Sequence, residues 1–338
     1  MKKGGLLLLA ILFLTYGYEG YKIVQLYMND NVKVKTSGLL SDITDDVISV
    51  PLKTPDSGVV RQIRRVQRDG NNIFLLSERR LFHFDISGRF INQPATETSN
   101  AEDVFIADYT LDTDNHLIIV IDSQRNISKY DYSGNLISKA VINQPWRRVT
   151  AFAHHNGFLW ISAEITDDSY LITHRLYQMD TDLNEISNQG FYSAEIGRDI
   201  AFNSLCIDEL LVDEDGVYAY SSPVDMKHLL SDTLHILQYK NLLSAFGKRH
   251  HGEAGVYPVR KGQRYIMSTY HNTVDNCYTF CYDKTNNKAY MLSEGFKDDF
   301  YNTGYIADLQ PMDINNTSYC YIKSETGNPV LFIVTLKS

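Results

Sequence analysis

Apolar residues in this chain fall into short runs bounded by Asp, Asn and Gly. Ile73-Phe-Leu-Leu76, Leu117-Ile-Ile-Val-Ile121 and Phe158–Ala163 each follow a turn: Asp69-Gly-Asn-Asn72, Asp112-Thr-Asp-Asn115 and His155-Asn-Gly157. Runs this short between such turns predict β-strands. In the turns an Asp carboxylate accepts bonds from nearby backbone N–H groups, and Gly adopts the positive φ that other residues avoid.

A longer pattern organises the strands. Leu81-Phe-His-Phe-Asp-Ile-Ser-Gly88, Ile127-Ser-Lys-Tyr-Asp-Tyr-Ser-Gly134 and Leu176-Tyr-Gln-Met-Asp-Thr-Asp-Leu183 align on Asp85, Asp131 and Asp180. They recur at roughly 46 to 49 residues, a period that in a strand–turn–strand unit marks the blade of a β-propeller. Four-stranded blades follow. The first has Ile63–Arg68 as inner strand, then Ile73–Leu76, Leu81–Asp85 and Arg89–Ile91. A fourth blade runs from Leu210 through Val217–Tyr220 to His235–Tyr239, and a fifth from Tyr257 through Tyr265–Tyr270 and Cys277–Asp283 to Ala289–Leu292. The sixth holds Tyr319–Ile322 and Val330–Thr335 and is one strand short. Val47-Ile-Ser-Val-Pro-Leu52 stands unclaimed before the first repeat and is expected to complete it, removing a free sheet edge. Pro51 is tolerable on such an outer strand. The expected fold is all-β: a six-bladed β-propeller over 46–338 whose last blade is closed by the N-terminal strand.

Composition adds limits. The chain is 43% hydrophobic and 22% charged, a globular balance. A formal charge of −9 argues against nucleic acid as partner. Lys2 and Lys3 precede the apolar run Leu6–Leu14, too short to span a membrane and suited to a signal peptide cleaved after Gly17. An uncleaved anchor over 1–17 is the alternative, and 18–45 reads as a polar segment. No membrane span is expected in the mature chain, which is exported to the periplasm or beyond. Of the cysteines, Cys277 and Cys281 share one expected strand, which holds them about 13 Å apart, too far to bridge.

Ile48–Leu52, Asn72–Leu76, Leu81–Gly88 and Ile127–Asn135 together resemble the six-bladed β-propeller family of secreted proteins and lipoproteins of gut Bacteroidetes, Gram-negative bacteria, related in shape to NHL-repeat propellers. The resemblance covers about 45–338, and its motifs specify the blade rather than a ligand. Family members usually carry a lipobox cysteine after the signal segment; none follows the apolar run here.

Candidate chemistry gathers where loops between second and third strands meet the inter-blade connections. On this reading one face collects Arg79, Arg80, Arg125, Trp146, Arg147, Arg148, Tyr170 and His271. Arginine forks and aromatic faces suit a polar organic ligand, a glycan or a peptide. Tyr192, Tyr257 and Tyr301 lie in neighbouring connections. The pairs His154-His155 and His250-His251 are poor chelators, because adjacent strand residues point to opposite faces. The leading expectation is an exported, non-catalytic propeller that binds a small molecule, glycan, peptide or protein partner, with no catalytic residue, metal or cofactor. The first alternative is a calcium-dependent hydrolase, lactonase or lyase using oxygen ligands such as Glu78, Asp122, Asn126, Glu164 and Asn272. The second is a structural assembly module with a flat apolar patch.

Overall fold

The structure, a computed structural model, describes residues 34–35, 37–53, 60–95, 104–166, 171–195, 207–213, 216–222, 260–273, 276–286, 288–306, 308–313, 317–323 and 328–338. The expected signal segment and the strand expected over His235–Tyr239 lie outside them. The fold is a six-bladed β-propeller, with no α-helix among the described residues.

Blade 1 consists of Ile63–Asp69, Asn72–Ser77, Arg80–Asp85 and Phe90–Asn92, antiparallel in that order. Blade 2 is Ile106–Asp112, Leu117–Asp122, Asn126–Asp131 and Leu136–Val141. Blade 3 is Arg148–His155, Phe158–Thr166, Leu171–Met179 and Glu185–Glu195. Ile207–Asp213 and Gly216–Ser222 belong to blade 4. Blade 5 contains Arg260–Lys261, Tyr265–Thr273, Asn276–Asp283 and Lys288–Leu292. Blade 6 contains Gln310–Pro311, Ser318–Lys323 and Val330–Leu336, and its outer strand is Thr44–Pro51, antiparallel to the C-terminal strand. The chain ends are therefore sewn together, as the unclaimed apolar strand predicted.

The core lies between blades rather than at a single centre. Phe74, Leu76, Tyr109 and Val120 pack between blades 1 and 2. Ile119, Ile121, Phe152 and Ile161 fill the space between blades 2 and 3, and Val50, Leu75, Phe82 and Leu331 that between blades 6 and 1. Each such side chain, fully buried, contributes roughly 1.5–3 kcal/mol. Tyr109 shows how a polar tip is accommodated there: its hydroxyl donates to the Phe74 carbonyl at 2.7 Å.

Three findings correct the sequence-based reading. The segment expected to be a polar preamble up to residue 45 is built into the propeller from Val34. Val34–Lys35 pairs in parallel with Lys288–Leu292, and Gly38–Leu39 with Phe296–Asp298. Leu40 and Ile43 are buried. Secondly, Gly38–Leu39, Phe296–Asp298 and Gly304–Ile306 form a small additional sheet between blades 5 and 6. Thirdly, His271, expected where a loop joins the second and third strands, lies within the strand Tyr265–Thr273. Cys277 and Cys281 do share one strand, Asn276–Asp283. Cys281 and Cys320 are buried thiols.

The hairpin repeat is now explicit. Asp85 Oδ1 accepts the N–H groups of Ser87 and Arg89, Asp131 Oδ1 that of Asn135, and Asp180 Oδ1 those of Asp182 and Asn184. Gly88 and Gly134 take φ of 78° and 88° at the position where Leu183 takes 67°. Gly88 has a second reason to lack a side chain: a Cβ there would sit 2.2 Å from the Pro51 carbonyl oxygen of the closing strand.

Candidate functional site

The two rims of the ring differ in construction. The lower rim holds the tight turns after the inner strands and the Asp85, Asp131 and Asp180 hairpins. The upper rim, where inner strands begin, holds the connections from blade to blade and the turns between second and third strands. Inner strands of blades 1, 2 and 3 each carry a β-bulge at their upper end, with Arg64, Ala107 and Thr150 as the extra residues. The residues that follow in blades 1 and 2, Arg65 and Asp108, are 43 apart, and the third bulge keeps the interval. A bulge bends the strand and re-aims its side chains, so the repeat gives the three inner strands the same irregularity at one end.

Arg65 and Asp108 meet there across two blades, Nη1 to Oδ2 at 2.7 Å. The same guanidinium nitrogen donates to the Phe152 carbonyl at 2.9 Å, and the Phe152 N–H donates to Asp108 Oδ2 at 3.0 Å. Three adjacent inner strands are thus tied by one ion pair and one backbone unit. Bonds to charged groups are worth about 1.5–3 kcal/mol, and the network sets the spacing of the rim above it.

Around this centre the upper rim is rich in arginine. Arg61, Arg64, Arg79 and Arg80 of blade 1 are exposed. Arg79 lies over the Phe105 ring of blade 2, 4.6 Å from its centroid. In blade 3, Arg147 and Arg148 both reach Glu164, whose side chain is 3% exposed against 40% and 44% for the arginines. The Arg147 N–H also donates to the Glu164 carbonyl at 2.8 Å. A buried carboxylate needs such partners, and two guanidinium groups supply them.

The expected site residues separate into groups. Arg79, Arg80, Arg147 and Arg148 do share the upper rim. Trp146 does not present a face to solvent: it is 3% exposed, packed between blades 2 and 3 with its ring 5.0 Å from that of Tyr177. The sequence places it in a connection, and the connection drops Trp146, with Ile142, into the gap beneath. Arg125 is a structural latch, donating to the carbonyls of Gln144 and Trp146 at 3.0 Å each. Tyr170 and the side chain of His271 lie outside the described residues. Tyr301 is half-exposed, but its hydroxyl donates to the Val47 carbonyl at 3.2 Å.

Arg125 carried a signal that went unread. Asp122-Ser-Gln-Arg-Asn126 has the spacing of Asp131-Tyr-Ser-Gly-Asn135 and Asp180-Thr-Asp-Leu-Asn184. It folds the same way, Asp122 Oδ1 accepting the Gln124 and Asn126 N–H groups while Arg125 takes φ 70°. Asp122 and Asn126 are thereby bound to each other, and Glu164 to its arginines. Among the described residues no group of three or more His, Cys, Asp or Glu is placed to hold a metal ion.

The histidine pair at the lower rim is split as its strand position requires. His154 is buried, its Nε2 3.8 Å from Asp112 Oδ2, and burial lowers its pKa more than nearby carboxylates raise it. His155 bonds to Asn156. His116 and Tyr132 both reach Asp69 Oδ2, at 3.1 and 2.8 Å, linking blades 1 and 2.

Comparison with known proteins agrees with this architecture. A family profile described as "6-bladed beta-propeller" matches residues 21–222. A candidate exported protein from Bacteroides fragilis superposes with a TM-score of 0.58 at 13% identity, over 90% of this chain and 98% of that one. The β-propeller domain of Cps50 (Swd1) from Myceliophteria thermophila gives 0.42 at 10% identity, over 86% and 100%. No curated protein matches.

Proposed function

We propose that this chain, which belongs to the 6-bladed beta-propeller family, is an exported, non-catalytic binding protein whose upper rim receives a polar organic ligand, a glycan or a peptide. One observation carries the reading. Three consecutive inner strands bulge at the same end, over a charged network that fixes their spacing, and the arginines gather at that end. Bulges at a rim re-aim side chains, and a repeated one is a built feature. The likeness to an exported protein of Bacteroides supports the location. A binding site needs donors on a defined frame, and these arginines stand on strands and turns that the network holds in place.

The test is a thermal-shift screen of the mature protein against oligosaccharide and peptide libraries, repeated on two variants. Arg64→Ala with Arg80→Ala alters exposed upper-rim positions; His116→Ala alters the lower rim. We expect a ligand whose stabilisation disappears in the upper-rim variant and persists in the other. The opposite pattern would move the site to the lower rim.

A further inference from the structure

We infer that the upper rim of blade 1 takes a carboxylate-rich polypeptide segment, an inference that rests on the upper rim being the binding face. Arg61, Arg64, Arg79 and Arg80 cluster about one hydrogen-bonded crossing. The Arg61 N–H donates to Ser77 Oγ at 2.9 Å, the Ser77 hydroxyl donates back to the Arg61 carbonyl, and the Glu78 N–H donates to the Gln62 carbonyl at 3.4 Å. Arg80 stands opposite Ser77 in the strand register. No described carboxylate forms an ion pair with any of the four. A chain of net charge −9 thus holds a group of like positive charges on one short stretch of rim. Such a group repels itself until an anion arrives, and it steers anions toward it.

The backbone beneath gives a second, independent observation. Gln62 and Glu78 both adopt left-handed φ, 45° and 54°, and they are bonded to each other. Neither is glycine, so each conformation costs energy that the rest of the structure must offset. At Glu78 the two-residue turn closed by the Ser77–Arg80 pair accounts for it, since such turns place their first residue in the left-handed region. Blade 2 makes the equivalent bond, Ser123 N–H to the Phe105 carbonyl at 2.9 Å, with neither residue in the left-handed region. Gln62, unlike its counterpart Phe105, holds a left-handed φ in the connection that carries Arg61.

The chemistry of the surface selects the partner. All four cations are arginine, whose planar fork fits a carboxylate with two parallel bonds. Sugar rings are commonly held against flat aromatic faces; beside the blade 1 arginines Phe105 lies under Arg79, and the exposed Tyr301 and Tyr305 stand in the connection between blades 5 and 6. Side-chain carboxylates of an extended peptide fit this surface better than a sugar ring.

Fluorescence anisotropy with the mature protein and a labelled peptide of alternating Glu and Ser tests the inference. Its Gln/Ser counterpart and an oligogalacturonate serve as competitors. We expect the Glu peptide to bind, the Gln form at least about tenfold more weakly, and an increase from about 50 to 200 mM salt to weaken binding severalfold. Arg79→Gln with Arg80→Gln, and separately Arg61→Gln, should each weaken it about tenfold with melting unchanged, and Lys at positions 79 and 80 should restore only part. No binding of the Glu peptide, equal binding of both peptides, or displacement at lower concentration by oligogalacturonate would overturn the inference. If a neutral oligosaccharide binds and depends on Arg64 and Arg80, the upper rim stands and only the charge selectivity falls. If the Glu peptide ignores the arginine variants but is lost in His116→Ala, both readings fall.

Discussion

Asp85, Asp131 and Asp180 were conspicuous in the sequence because a hairpin turn is a local structure. All the groups that the carboxylate must reach lie within four residues of it. Their protonation behaviour follows from the same contacts. The Ser87 hydroxyl first, with the backbone and guanidinium of Arg89, draws the Asp85 carboxyl down to about 2. The side chains of Asn135 and Asn184, then their N–H groups, lower Asp131 and Asp180. A lowered carboxylate adds stability above its unfolded pKa, about 3.9, and that stability is lost as pH falls toward the folded value. His83 and His154 are lowered chiefly by burial, so they also favour the fold at higher pH and cost stability once the unfolded imidazole charges below about 6.5. Thermal melts should therefore show a plateau above about pH 6.5, a shallow decline below it, and a steep limb between about 4 and 2. Replacing the three hairpin aspartates with Asn should flatten the steep limb. An unchanged limb would mean that other carboxylates govern acid unfolding.

Elements were legible where their own residues mark them as strands, however far along the chain their partners lie. Closure by Thr44–Pro51 was readable because the last blade lacked a strand and one apolar run had no blade. The pairing buries Val47, Val50 and Leu52 and spans the length of the C-terminal strand. Val34–Ile43 was not readable. Its partners are hundreds of residues away, as in the Ser41 N–H bond to Asp299 Oδ1 at 3.0 Å, and its apolar residues alternate with nothing. The three inner-strand bulges were equally hidden, because a bulge is a mismatch between two strands and appears in neither alone. Closure gives a clear expectation. Val50→Asp places an unpaired carboxylate at a position 1% exposed, between blades 6 and 1. Such substitutions cost upwards of about 3 kcal/mol, and the freed edge of Val330–Leu336 should promote association. Denaturant melts with light scattering measure both. Ile48→Asp is the control, since Ile48 is 43% exposed on the same strand. Equal effects would show that the strand is not what closes the ring.

At the scale of the whole molecule the question is whether six blades behave as one. Each interface among the described residues is shared by two neighbours, and Thr44–Pro51 joins the C-terminal strand inside one blade, so the blades they join lose cover on one face if an adjacent one opens. The upper rim depends on this unity, because the Arg65–Asp108–Phe152 network spans three blades. That dependence also explains why the site was only half readable: the sequence shows which residues are arginine, while burial of Trp146 arises from how blades meet and pairing of Glu164 from strand register within blade 3. Two cysteines report on unity from neighbouring blades. Cys281 in blade 5 and Cys320 in blade 6 are both fully buried, and burial holds the Cys281 thiol far above the ordinary range. Neither should react with iodoacetamide in the native protein, since the thiolate is the nucleophile and both sites are closed to reagent. In increasing denaturant, peptide mass spectrometry should find both alkylated with the same midpoint, coincident with loss of strand circular dichroism, as an all-or-none transition requires. Earlier labelling of Cys320 would show that blade 6, where the ends are joined, opens first and that the ring unzips from its seam.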